Sequence, residues 1–431
     1  MKKGRKMVVY AAVFSALILM LYLLLVIAAV IPNAALRNNM SMSAKYFVNA
    51  DRYETSEDGL FRNIADNYAD QIWYNIGWNM GFGNPLVSVL DTKYCDVEGF
   101  DITSGLHLAV NKGYEANVEY TRYWHGTAAL IRMLHLFTDI HGIRQIGMIC
   151  LVLLILKTVL SLCQKGHWEI GLCLLVSLVW IQFWNLWSSM EYLPSFLICF
   201  ALCPAFLRME TRGDFDLNVL AVISGTLTAF FDFLTTETVT VLVPLILVFA
   251  IRSREHRLRS PKQEMRMILH FCLCWAIAYA CTFAAKWLAV SLVTGENHLI
   301  TAVSSAEKRV NGVISEGQLQ KKPGVLMAIG ANLSVLFEGT SRTDSRRVIA
   351  NLTVISLVLI IVYRMNQVRR KLYPGTLILL LLGSTVLLRY GVLANHSYMH
   401  AFFTYRALVS TILAVLTAMV VNLRPMKKKG C

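Results

Sequence analysis

Runs of about 20 apolar residues recur along the whole chain, and short basic segments separate them. Each run is long enough to cross the hydrocarbon core of a bilayer as a helix. Of the 431 residues, 56% are hydrophobic and only 16% are charged, a combination that is not typical of a soluble domain. The sequence therefore predicts an all-α polytopic membrane protein that forms a single membrane domain over residues 1–431.

About ten transmembrane helices are predicted. The first run follows Lys2, Lys3, Arg5 and Lys6, lacks a small-residue cleavage site, and is expected to stay as an anchor that leaves the cytoplasm. Every strongly basic short loop then falls on the cytoplasmic side, as the positive-inside rule requires, with both termini inside. The predicted spans are Met7–Ile31, Ile143–Leu162, Trp168–Trp187, Tyr192–Leu207, Leu217–Leu234, Val239–Ile251, Met267–Val293, Val348–Tyr363, Thr376–Leu393 and Ala407–Val421.

The net charge of +14 would suggest nucleic-acid binding in a soluble protein. Here the basic residues lie in short interhelical loops, most densely between Arg252 and Arg266, rather than on one face. The positive-inside rule accounts for this distribution. We therefore expect the lipid bilayer, and no nucleic acid, as a partner.

Two long segments are predicted outside the cytoplasm. Residues 32–141 carry most of the acidic residues on that side and are expected to include interfacial helices. Residues 294–347 form the second segment. Its apolar middle, Val325–Phe337, is too short to span and is expected to be re-entrant or interfacial.

Two carboxylates four residues apart, Asp66 and Asp70, are the first candidates for chemistry. If Phe61–Trp78 is helical, they share one face, and the opposite face, with Ile72 among its residues, would lie on the membrane surface. Such a pair suits a general base that takes a proton from a sugar hydroxyl, or a weak divalent-cation site. A solvated acidic face is the alternative.

A second candidate group is Arg122 with His125, which precede an amphipathic run. They share a helical face if the helix begins here, and they would bind a phosphate or a sugar hydroxyl. The alternative is an interfacial helix that Tyr120, Tyr123 and Trp124 anchor in the membrane surface.

Cations cluster at the predicted outer end of the last two spans. Arg389 lies inside an apolar run, where it costs roughly 2.5–3.5 kcal/mol at the bilayer centre, and His396, His400 and Arg406 follow it. A phosphate-bearing ligand at the outer face would account for them. Snorkelling towards lipid headgroups is the alternative, and the histidine pair also has the spacing of a metal site.

Asp232 and Glu237 lie at the predicted outer ends of two adjacent spans. A carboxylate beside phenylalanine side chains at the end of a span is costly without a partner. We therefore expect pairing with Arg389 or Arg406, or contact with substrate hydroxyls.

These features resemble GT-C-type glycosyltransferases. The likeness rests on one anchor helix, a long carboxylate-rich outer loop, the step from Trp124 through Gly126 into an amphipathic helix, and Arg144 at the start of the second span. In the protein-mannosyltransferase and aminoarabinose-transferase branch, a His-Pro-Pro-Leu motif and an Arg hold similar places, whereas here Gly126 and Thr127 replace the prolines. The chain is also similar to uncharacterised multipass proteins of bacterial surface-polysaccharide gene clusters through Arg122–Gly126, Phe231–Thr235, Asn395–His400 and Phe403–Arg406.

The resemblance implies transfer of a sugar from a polyprenyl-phosphate donor to a cell-surface glycan or lipid acceptor, at the outer face of the bacterial cytoplasmic membrane. It implies a carboxylate base, either Asp66 or Asp70, and cations that bind the departing phosphate. The candidates for the phosphate are Arg389, His400 and Arg406, and Arg122 and His125 would line the acceptor side. Carboxylates after the anchor should therefore converge with cations near the C-terminal hairpin, around a gap open to lipid.

Two alternatives remain at this point. One is a transporter or flippase for lipid-linked saccharides, a class that commonly carries inverted repeats and helices broken near the midplane. The sequence has no visible repeat, and an outer segment over residues 32–141 is large for that class. The other is a non-catalytic subunit of a polysaccharide assembly complex, which would lack a cleft beside Asp66 or Asp70.

Overall fold

The fold is described by a computed structural model over residues 3–54, 64–232, 234–300, 303–304, 307, 314–316, 319–321, 323–337 and 374–422. Across these residues the chain is mostly helical, and its strands form three short antiparallel pairs. Six helices in the described residues are long and apolar enough to cross a membrane. The prediction of a mostly helical membrane protein is confirmed at this level. The six are Gly4–Val30, Ile140–Gln164, Asp214–Phe231, Pro261–Thr294, Gly375–Val392 and Ala401–Val421.

Most other elements are short and cluster between the first two long helices. The helices are α1 Lys3–Val30, α2 Asn33–Asn49, α3 Asn67–Asn79, α4 Pro85–Ser88, α5 Gly105–His107, α6 Gly126–Leu134, α7 Ile140–Gln164, α8 Trp168–Trp180, α9 Leu193–Met209, α10 Asp214–Phe231, α11 Val239–Arg254, α12 Pro261–Thr294, α13 Val325–Leu336, α14 Pro374–Val392, α15 Ala394–Met399, α16 Ala401–Thr404 and α17 Val409–Asn422. Turns of 3₁₀ helix cover Ile102–Ser104, Phe183–Ser188 and Tyr405–Leu408, and a π-helical turn covers Leu108–Lys112. The strands are β1 Tyr53–Glu54, β2 Ala65–Asp66, β3 Lys93–Tyr94, β4 Val118–Glu119, β5 Ile314–Glu316 and β6 Leu319–Lys321.

Three of the ten predicted spans are shorter helices than the bilayer core requires. α8 has 13 residues, α9 has 17 and α11 has 16. The predicted span Val348–Tyr363 lies outside the described residues. α11 is the central helix of the bundle, because all its residues are buried and it packs against α9, α14 and α17.

The first long segment folds into the protein rather than along its surface. α3 begins at Asn67 and packs against α2, α5 and α6. Ile72 and its apolar neighbours on this helix, predicted to face lipid, are buried in the protein core. The reason is that Tyr74 packs against Phe47 of α2, and Ile72 lines a cavity within the protein rather than the membrane surface.

Arginines and carboxylates pair at one end of the bundle, which we call the basic end. Arg257 lies 2.7 Å from Glu210, and Arg259 lies 2.7 Å from Asp214. These residues follow the C-terminus of α11 or flank the N-terminus of α10. Lys6, near the start of α1, stacks over Phe215 on the same side. The first predicted basic loop and the densest one therefore lie at the same end.

Candidate functional site

A cavity of about 450 Å³ lies at the opposite end of the bundle and joins distant parts of the chain. We call it the Asp66 cavity. The first long segment, the turn before α9 and the C-terminal hairpin each contribute to its wall. Its lining is Tyr53, Asp66, Tyr68, Ala69, Ile72, Tyr94, Tyr120, Arg122, Tyr123, Glu191, Asn395, His396, Met399, His400 and Phe403. Asp66 and Arg122 of the first segment, Glu191 of the turn before α9 and two histidines of the C-terminal hairpin therefore meet around one hollow.

Asp66 is held in the cavity wall by two local structures. The pairing of β1 with β2 sets Asp66 opposite Tyr53, and α3 begins at the next residue. The Asp66 carboxylate accepts a hydrogen bond of 2.9 Å from the backbone N–H of Ala69, which is the arrangement of a helix N-cap. Asp66 is 3% exposed, so the predicted alternative of a solvated acidic face does not describe it.

Glu191 forms a carboxyl pair with Asp66, and the two side chains are hydrogen-bonded to each other. Burial raises the pKa of Asp66 to about 7, although the N–H of Ala69 opposes the rise. Burial and then the nearby charge of Asp66 raise the pKa of Glu191 well above its ordinary value. Two carboxyls in such contact titrate as a unit, and this pair holds a proton near neutral pH.

Basic side chains form the other part of the cavity wall. The guanidinium of Arg122 lies over the Tyr120 ring, 4.5 Å from its centroid. The rings of His396 and His400 lie 4.7 Å apart, and His400 stacks on Phe403 at 5.1 Å. An anionic group in this cavity would therefore meet a cation and two imidazoles, opposite carboxyls that retain a proton.

Tyrosine rings cover much of the remaining wall. Tyr53 stacks on Tyr68 with ring centroids 6.2 Å apart, and Tyr94 meets Tyr120 edge to face at 6.0 Å. A tyrosine ring offers an apolar face and a hydroxyl that donates or accepts a hydrogen bond. Such a lining suits a ligand with both apolar faces and hydroxyl groups.

Asp70 lies outside the cavity lining and is fully buried. Its carboxylate lies 2.7 Å from the guanidinium of Arg144 and accepts hydrogen bonds from the Ser189 hydroxyl and the Met190 N–H, at 2.7 and 2.8 Å. Asp66 and Asp70 thus do not present one shared face to a ligand. Because α3 begins at Asn67, Asp66 caps the helix, while Asp70 turns inward to α7.

His125 is also away from the cavity wall. Arg122 and His125 were predicted to share one helix, but that helix begins at Gly126, directly after His125. His125 has a left-handed backbone with φ 58°, its Nε2 lies 2.6 Å from the Tyr120 carbonyl oxygen, and burial lowers the pKa of its imidazole well below the usual value. A neutral, buried His125 supports the chain turn that presents Arg122 to the cavity.

Arg389 pairs with Glu237 rather than with Asp232. Its Nε lies 2.8 Å from the Glu237 carboxylate, and it donates further hydrogen bonds to Ser397 and to the Leu234 and Thr235 carbonyls. Asp232 instead accepts a hydrogen bond of 2.7 Å from the Ser195 hydroxyl. The Arg389–Glu237 pair joins α14 to the turn before α11, and the Asp232–Ser195 bond joins the end of α10 to α9. Neither Arg389 nor Asp232 lines the cavity.

Arg406 is fully buried beneath the cavity. Its guanidinium lies over the Tyr192 ring at 4.3 Å and donates to the Phe402 carbonyl at 3.1 Å. Tyr192 directly follows Glu191, and Phe403, beside Phe402, lines the cavity. Arg406 therefore lies behind the wall.

Of the nine predicted site residues, Asp66, Arg122, His396 and His400 line the cavity. Glu191 is the lining residue with the strongest chemistry that sequence reasoning missed. A signal existed, because Glu191 is an isolated carboxylate at the predicted outer ends of two spans, next to the tryptophans of α8 and the turn after it. The same reasoning that selected Asp232 applies to it.

Across the part of the chain that the structure describes, no three His, Cys, Asp or Glu side chains are grouped as metal ligands. Comparison with protein-family models, with curated proteins and with solved structures finds no match for this chain. The function is therefore argued from the cavity itself.

Proposed function

We propose that the chain transfers a sugar from a polyprenyl-phosphate donor to a glycan or lipid acceptor, as a GT-C-type glycosyltransferase. The observation that supports this proposal most is the Asp66–Glu191 carboxyl pair, which lines one cavity together with Arg122, His396 and His400. Glycosyl transfer to a hydroxyl requires a group that accepts a proton and a group that stabilises a departing phosphate. The cavity offers both within reach of one small ligand.

The reaction follows as a single displacement. The acceptor hydroxyl oxygen forms a bond to the anomeric carbon of the donor sugar while the bond from that carbon to the phosphate oxygen breaks. The hydroxyl proton passes to the Asp66 carboxylate, whose pKa of about 7 is close to the ideal for a general base at neutral pH. Arg122 and His400 compensate the charge on the polyprenyl phosphate that leaves.

Glu191 is assigned the role of holding the Asp66 carboxyl in place and sharing its proton. Asp70 is assigned a structural role, because Arg144, Ser189 and Met190 already occupy its oxygens. This choice between the two predicted bases rests on the cavity lining, which contains Asp66 and Glu191.

We further propose an orientation with the Asp66 cavity outside the cytoplasm of a bacterium and both termini inside. The support is the basic end, where Lys6, Arg257 and Arg259 gather, since such residues favour the cytoplasmic side. We retain the ten predicted spans in this proposal, with α8, α9 and α11 as short spans in the bundle interior.

Sugar transfer by purified protein in lipid nanodiscs tests the proposal. Polyprenyl-phosphate donors with radiolabelled sugars would be supplied, and release and transfer of the label measured. Asp66→Asn should lower the rate by about 100-fold or more, because general-base catalysis contributes about that much. Glu98→Gln, the same acid-to-amide change at an exposed position outside the cavity, is the matched control and should keep the wild-type rate.

Two results would overturn the assignment. A folded Asp66→Asn variant with the wild-type rate would exclude Asp66 as the base. Absence of transfer from every donor, together with donor movement across the bilayer, would favour the flippase alternative.

A further inference from the structure

A second cavity of about 640 Å³ lies next to the Asp66 cavity along α3. We call it the Asp91 cavity. Ile72 lines the first cavity, and Ile76 and Met80, on the same side of the helix one and two turns later, line the second. At 1.5 Å per residue, Ile72 and Met80 are about 12 Å apart. The strand β3 borders both, with Tyr94 in the first wall and Lys93 in the second.

The two cavities differ in charge. Asp91 and Glu115 give the second cavity two carboxylates, and its basic side chain, Lys93, lies 3.0 Å from Asp91. The remaining balance is negative, so a phosphate would be repelled there. The Asp66 cavity is less negative, because Arg122 offsets the one charge of a carboxyl pair that holds a proton, and two imidazoles lie beside them.

Neutral polar groups and exposed rings complete the second cavity. Asn79, Asn84 and Thr92 provide amide and hydroxyl groups, and the rings of Phe82 and Tyr114 are 55% and 46% exposed. Hydrogen-bonding groups beside exposed aromatic faces match a saccharide, whose rings carry hydroxyls at their edges and C–H bonds on their faces.

The segment that carries part of this wall also contacts two candidate membrane spans. The Tyr22 hydroxyl donates to the Leu86 carbonyl at 2.9 Å, and the Lys286 ammonium donates to the Leu90 carbonyl at 2.6 Å. Tyr22 and Lys286 each lie eight residues before the end of a candidate span, or about 12 Å along the helix axis. Leu86 does not line the cavity and is 52% exposed, so the segment 82–90 has an apolar side chain at the surface beside α1.

We infer that the Asp91 cavity binds the phosphate-free saccharide part of the acceptor. This inference rests on the proposed function and assigns one ligand part to each cavity. The Asp66 cavity, with Arg122 and two imidazoles, binds the donor phosphate, and the negative Asp91 cavity binds the acceptor sugars. The shared face of α3 then aligns an oligosaccharide so that its terminal hydroxyl reaches Asp66. The segment 82–90, which contacts α1 and α12, keeps the entrance close to a lipid-linked acceptor.

Binding of neutral oligosaccharides tests the inference without any donor. Labelled protein in nanodiscs would be applied to an array of immobilised neutral, amino-sugar and phosphorylated oligosaccharides. Ala116→Trp fills the cavity that Ala116 lines, and should abolish binding. Lys112→Trp introduces the same side chain four residues earlier, at an exposed position that does not line the cavity, and should bind as wild type does.

A second matched pair avoids dependence on a folded Ala116→Trp protein. Tyr114→Ala removes an exposed ring from the cavity and should weaken oligosaccharide binding by about three- to tenfold, the size expected for loss of one aromatic contact. Phe100→Ala removes an equally exposed ring outside both cavities and should have no effect. The free oligosaccharide and its alkyl-linked form would be compared, and tighter binding of the linked form is expected.

The outcomes separate this inference from the proposed function. If transfer occurs but Tyr114→Ala and Ala116→Trp leave both the acceptor KM and array binding unchanged, the inference fails and the proposed function stands. If binding depends on both residues but no donor is ever consumed, the saccharide site stands and the proposed function fails. If wild type binds no array glycan, or binds phosphorylated ones through this cavity, the inference is overturned.

Discussion

The titration of Asp66 predicts how the stability of the protein changes with pH. In the unfolded chain this carboxyl has its ordinary pKa of 3.8, and in the folded protein the pKa is about 7. Between these values the folded protein holds a proton that the unfolded chain has released. The free energy of unfolding therefore falls as pH rises from about 4 to about 7, and this group causes no further change above that.

The size of the effect follows from the two pKa values. Each pKa unit corresponds to 1.36 kcal/mol, so the full difference of about 3 is worth about 4 kcal/mol. From about pH 5 to about pH 8, the loss due to Asp66 is about 3 kcal/mol. The Asp66→Asn side chain stays neutral at both pH values, so this variant should lack the loss of stability that Asp66 causes.

Thermal unfolding in nanodiscs, followed by intrinsic tryptophan fluorescence, measures the difference. The melting temperature of wild type should fall by several degrees more than that of Asp66→Asn between about pH 5 and about pH 8. Glu98→Gln serves as the control and should follow wild type. Parallel pH dependence in wild type and Asp66→Asn would refute the argument that burial keeps this carboxyl protonated.

The transfer rate should change in the other direction and rise as pH passes about 7, because the base acts when deprotonated.

Three further substitutions test the framework around the cavity. Arg144→Met leaves the buried Asp70 carboxylate unpaired and should destabilise the protein by about 3–5 kcal/mol, measured as a lower melting temperature. Gly126→Ala places a Cβ 2.4 Å from the Phe230 ring and should cost about 1–3 kcal/mol in the same assay, whereas an unchanged melting temperature would contradict that packing. Arg132→Met removes donors to carbonyls at the ends of α1 and α3 and should speed amide hydrogen exchange at both ends; unchanged exchange would argue against this clamp.

Hydropathy and charge predicted the helical scaffold because each long apolar run can satisfy its backbone only as a helix in lipid. Residue spacing was a weaker predictor of shared helix faces at positions where the chain turns. The shared face expected for Asp66 and Asp70 fails because the helix begins after Asp66. The pairing of Arg122 with His125 fails because the backbone turns at His125. Helix starts are set by local backbone geometry, which period-based reasoning places only to within a few residues.

Partners far apart in sequence were harder to predict. Asp70 meets Arg144, 74 residues later, and Arg389 meets Glu237, 152 residues earlier. The cost of a buried charge shows that each needs a partner, but it does not specify which one. The pairing of Glu191 with Asp66 was not predicted for the same reason, because the two residues are far apart in sequence and no local pattern encodes their contact.

The contrast among the buried carboxyls supports the choice of Asp66 as the functional group. This chain pairs Asp70 with Arg144 and Glu237 with Arg389, both at hydrogen-bonding distance. Asp66 instead lies against another carboxyl, Glu191. Burial raises the pKa of both groups, and the charge of Asp66 raises the pKa of Glu191 further, so ionising both carboxyls is costly. A fold that supplies arginines to Asp70 and Glu237 retains this costly contact on the wall of an open cavity. Costly arrangements of this kind are concentrated at functional sites, where a perturbed carboxyl is the part that reacts.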